Sequence, residues 1–107
     1  MLLRELIAEL ETLDDDQIVC VMRPWTSDAE ARLTPADERV SVPVEVKDAG
    51  FDYFLEVHVA KEVVGVFGDK PASVDEKVRL LLDYAATDAY PDWVYERRLQ
   101  APTGTPR

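Results

Sequence analysis

Gln17-Ile18-Val19-Cys20-Val21-Met22-Arg23 is the stretch on which the fold turns. Its apolar and β-branched side chains fall on both alternating faces, with Ile18, Cys20 and Met22 on one and Val19 and Val21 on the other. A strand that is apolar on both faces must be covered on both. The stretch therefore predicts a strand in the middle of a sheet, and it makes Cys20, the sole cysteine, a small buried hydrophobe with no internal disulfide.

On the N-terminal side, Leu3, Leu6, Ile7, Leu10 and Leu13 recur at helical spacing, with Arg4, Glu5, Glu9 and Glu11 on the opposite face. Residues 2–13 read as an amphipathic helix. Asp14, Asp15 and Asp16 follow where the helix dipole is negative, so the helix should stop and turn into the strand.

On the C-terminal side, residues 24–38 read mostly as loop, with a short strand possible over 29–33. Val40 and Val42 alternate with polar neighbours before Pro43, which suggests an edge strand ending at the proline. For residues 43–49 the alternation of Val44 and Val46 favours a strand, whereas Pro43 at a start and Gly50 past an end favour a short helix. The helix reading is preferred. Over 51–59 the period is two, with Phe51, Tyr53, Leu55, Val57 and Val59 on one face and Asp52, Phe54, Glu56 and His58 on the other. Ala60, Val63, Val64 and Phe67 then fall at helical spacing before Gly68, which favours a short helix over 60–67, with a strand as the alternative that the valines allow.

Ser73-Val74-Asp75-Glu76 matches a capping box, which opens a helix over 74–88 with a buried stripe of Val74, Val78, Leu81, Leu82 and Ala85. Asp75, Arg79 and Asp83 stand as opposite-charge neighbours on its exposed side. Tyr90, Pro91 and Trp93 mark a turn, 94–99 a strand or helical turn, and 101–107 a frayed tail. The expected class is α+β: one domain over 1–100, a small and largely antiparallel sheet of three to four strands, and helices mainly on one face.

The 107 residues carry 22 acids against 12 bases, a formal charge of -10. Apolar residues make up 47%, enough for a folded core. The imbalance is lopsided, because residues 1–50 hold 12 acids and 5 bases and the remainder 10 and 7. Such a field steers a basic partner and opposes direct nucleic-acid or anionic-membrane binding; solubility alone is the competing reading. Glu5, Glu9 and Glu11 interrupt any signal-like apolar stretch, and no segment is apolar for the length of a membrane span, so bacterial cytoplasmic residence is expected.

No catalytic or cofactor motif stands out. Counted from Asp14, a calcium loop would need an acceptor, Gly and Glu where Ile18, Val19 and Trp25 stand. One Cys and one His build no zinc pattern, and the four glycines make neither a phosphate loop nor a dinucleotide fingerprint. Neither metal nor cofactor is expected. The sharpest chemical candidates are Glu56 and His58, placed about 6.6 Å apart on one strand face by two strand rises. A carboxylate beside an imidazole can support acid–base work, but exposed polar pairing on a sheet is the more ordinary explanation.

Trp25, Tyr90 and Trp93, with Tyr84 and Tyr95, are candidate binding aromatics; closing the end of the core is the structural alternative for Trp93. In acidity and size the chain is similar to many immunity and antitoxin-like inhibitors, without a shared motif. The lopsided charge points to a non-enzymatic interaction domain whose Asp14, Asp15, Asp16 and 28–38 loop dock a basic protein, a role that an inhibitor of this kind would fit. The alternatives are a small-molecule binder or weak hydrolase using Glu56 and His58 under an aromatic lid, and a self-associating module, such as a homodimer, paired through the strand edge near Val40.

Overall fold

The computed structural model of the chain describes residues 1–36, 42–68 and 71–99, the last four of these as backbone only. Gln17–Met22 forms β1, which pairs antiparallel with β2, Ala31–Pro35, on one side and with β3, Phe51–Glu56, on the other. The order β2-β1-β3 puts the doubly apolar stretch in the middle. Val19 and Val21 join the main core, while Ile18 and Cys20 pack with Phe51 and Val46 on the opposite face. Both faces of β1 are thus covered, and burial pushes the Cys20 thiol up from its ordinary range, with Arg32 opposing that shift.

Four helices cover the main-core face. Leu3–Ala8 forms α1, continued by a 3-10 turn over Leu10–Thr12, and Leu3, Leu6, Ile7 and Leu10 are its buried stripe. Val57–Val64 forms α3, Val74–Thr87 α4 and Asp92–Leu99 α5. Ser73 Oγ accepts from the Glu76 N–H at 3.1 Å and the Glu76 carboxylate accepts from the Ser73 N–H at 3.2 Å, which satisfies two free donors at the start of α4. Val78 and Leu81 are buried as the spacing predicts, but Leu80, on the flank of that stripe, is fully buried too. The short helix α2, Val44–Asp48, follows Pro43 and covers the other face through Val46. Gly50 then turns at φ +97, where an added Cβ would lie 3.2 Å from Met22 Cε.

Three expectations need correction. The strand expected through Val59 ends at Glu56, because Val57 starts α3. Val57 satisfies both periods at once: it continues the alternation of Leu55, and it also stands three residues before Ala60 on the buried side of a helix. Burial of Val57, Ala60, Val63 and Val64 on one helical face decides the conflict, overriding the β propensity of valine.

The strict alternation over 51–56 also fails. Val19 pairs with Leu55 and Cys20 with Tyr53, so Phe54 is the extra residue of a β-bulge. Phe54 and Leu55 consequently both enter the main core, while Phe51 goes to the opposite face. Finally, the loop expected over 24–38 contains β2, Ala31–Pro35, which runs past the short strand suggested over 29–33. Residues 94–99, read as a strand or a helical turn, are helical within α5. Val42 lies in no strand, and the edge strand around Val40 and the 101–107 tail lie outside the described residues.

Candidate functional site

The antiparallel pairing places the start of β1 beside the end of β3, with Ile18 opposite Glu56. The 14–16 turn before β1 and the β3–α3 junction therefore meet at one end of the sheet. Glu56 is the last residue of β3 and the cap residue of α3, and His58 follows in the first turn. They do not share a strand face as expected. The chain changes from strand to helix between them, and His58 Nδ1 lies 3.3 Å from Glu56 Oε2.

The other carboxylate oxygen, Glu56 Oε1, accepts from the Tyr53 hydroxyl at 3.4 Å. Burial, followed by the Glu56 charge, pushes the Tyr53 phenol up, so it stays a donor at neutral pH. The His58 side chain is 50% exposed and that of Glu56 is 23% exposed. His58 does not line the acidic hollow or either of the two aromatic clefts described below.

Asp15 is tied to the same end by Lys61, one turn beyond His58 on α3. The Lys61 ammonium donates to Asp15 Oδ1 at 2.7 Å and to the Leu13 carbonyl at 2.8 Å, the latter where the N-terminal helix has just ended. The hydrogen bond and then the charge of Lys61 hold the Asp15 carboxyl below its usual range, and His58 adds to the effect. Asp14 and Asp16 are exposed, and their carboxylates have no partner among the described residues. Leu13, Asp14, Asp15, Asp16 and Lys61 line an open hollow of about 570 Å³. Two candidate groups distant in sequence thus lie at the same end of the sheet, where Asp15 is joined to α3 through Lys61, a side chain that residue patterns did not single out.

Asp28 and Glu30 do not join them. They lie in the loop at the opposite end of β1, where Asp28 accepts from Arg4 Nε at 2.7 Å and Glu30 faces the N-terminal ammonium at 3.4 Å. Of the acids in the 28–38 stretch, Asp28 and Glu30 are paired at this far end; β2 then returns to the 14–16 turn, where the Ala36 N–H donates to the Asp16 carbonyl at 3.0 Å, and Asp37 and Glu38 lie outside the described residues.

The aromatic candidates gather elsewhere. Trp25 donates its indole N–H to the Val21 carbonyl at 3.1 Å, meets Phe54 edge-on at 5.0 Å, and carries the Arg23 guanidinium 3.6 Å above its ring. Trp93 donates to Asp83 Oδ2 at 2.9 Å, lies 6.3 Å from Phe67, and has the Arg79 guanidinium 4.3 Å above its ring. Tyr90 meets Tyr84 at 5.4 Å. Arg79 and Asp83, which helical spacing suggests as an ion pair on the surface of α4, instead seat the indole of α5. Two adjoining open clefts, of about 720 and 530 Å³, share Trp25, Leu82 and Asp83.

Among the described residues no three His, Cys, Asp or Glu side chains converge as metal ligands, and no helix is long and apolar enough to cross a membrane. No protein-family model matches the chain, and no curated protein and no solved structure matches it.

Proposed function

We propose that this chain is a non-enzymatic protein-interaction domain that docks a basic segment of a protein partner at the acidic end of its sheet, in the manner of an immunity or antitoxin-like inhibitor. The observation that supports this reading is the placement of Asp14, Asp15, Asp16 and Glu56 at one end of the sheet, where Asp15 is paired with Lys61 and Glu56 lies beside His58. Lys61 is engaged by Asp15 and Leu13, which leaves Asp14 and Asp16 directed at solvent. Unpaired exposed carboxylates contribute little to folding, but they accelerate encounter with an oppositely charged surface.

The test begins with capture of partners at low salt from the native host, followed by association kinetics of the purified pair. The on-rate should fall steeply as salt rises through about 0.15 M, where charges beyond roughly 8 Å are screened. An Asp14→Lys/Asp16→Lys double variant should lose at least about tenfold in on-rate while keeping its unfolding midpoint. Salt-independent capture, or an unchanged on-rate in the variant, would overturn the proposal.

A further inference from the structure

We draw no further inference here: the strongest candidate, the open groove between the 23–27 loop and α4, carries nothing because Arg79 and Asp83 are engaged in seating Trp93 and Arg23 in covering Trp25, and nothing in the structure shows what covers the remainder.

Discussion

The two ends of β1 use their charged residues in opposite ways. Beyond Met22, Arg23 lies on Trp25 and bonds Asp52 at 3.3 Å, and on the neighbouring helix Arg79 and Asp83 hold Trp93. There the charges complete the packing of large aromatics. Before Gln17, the Asp14 and Asp16 carboxylates make no hydrogen bond or ion pair among the described residues, and Asp15 is answered by one lysine. Aromatic residues drew attention as binding candidates because Trp and Tyr anchor interfaces. In this fold the rings and indole N–H groups of Trp25 and Trp93 are engaged internally, and the carboxylates of Asp14 and Asp16 are left free among the described residues.

The comparison breaks most visibly if the two ends contribute equally to stability. Trp25→Ala removes the contact with Phe54 and the hydrogen bond to Val21, and should destabilise by about 3 kcal/mol in urea unfolding, the lower part of the range for large aromatic truncations, since Trp25 is half-buried. The paired experiment, Asp14→Asn/Asp16→Asn, should move stability by less than about 0.5 kcal/mol. Comparable losses in both variants would mean that the acidic turn is structural.

A smaller effect tests whether Arg79 serves Trp93. Arg79→Ala should cost about 0.5–1 kcal/mol, the ordinary value of a cation–π contact at an exposed site. In a Trp25→Phe background, where Trp93 is the remaining indole, the same change should raise acrylamide quenching. Unaltered quenching would show that the guanidinium does not shield the ring.

The smallest effect is expected at Asp15. A carboxyl whose folded pKa is depressed contributes stability that is present above its unfolded pKa and is lost as the pH falls through the folded value. For Asp15 the window therefore lies on the acid side of about pH 4, the ordinary aspartate range. Because the group is exposed, the contribution is small. Urea midpoints of the wild type and Asp15→Asn should differ slightly near neutrality and converge in acid. Parallel curves down to about pH 2.5 would show that folding does not depress the Asp15 pKa.

How much of this was readable in advance differs by residue. The capping box at Ser73 and Glu76 involves neighbours in sequence, so its chemistry is visible without a fold. The doubly apolar 18–22 run likewise announces a central strand. Val57 was ambiguous because period two and period 3.6 both accept it, and only its complete burial among helical neighbours resolves the choice. The bulge at Phe54 has no local signature here, since it arises from the register of β3 against β1. Of the candidate site, Glu56 and His58 read as a pair on one strand, whereas only Glu56 belongs to β3 and His58 stands in α3. Their meeting with Asp15 and Lys61 depends on contacts across more than 40 residues.

The amino-acid sequence by itself determined the acidic imbalance, the α+β class, the central strand and the surest helix, because each follows from composition or from short-range periodicity. The tertiary structure decided which carboxylates remain free and which charges are absorbed into packing. Strand pairing sets one end of β1 against the β3–α3 junction, and the docking of α4 and α5 determines where the guanidinium of Arg79 can rest. Those outcomes depend on groups distant along the chain competing for the same partner, and spacing within one segment does not report that competition.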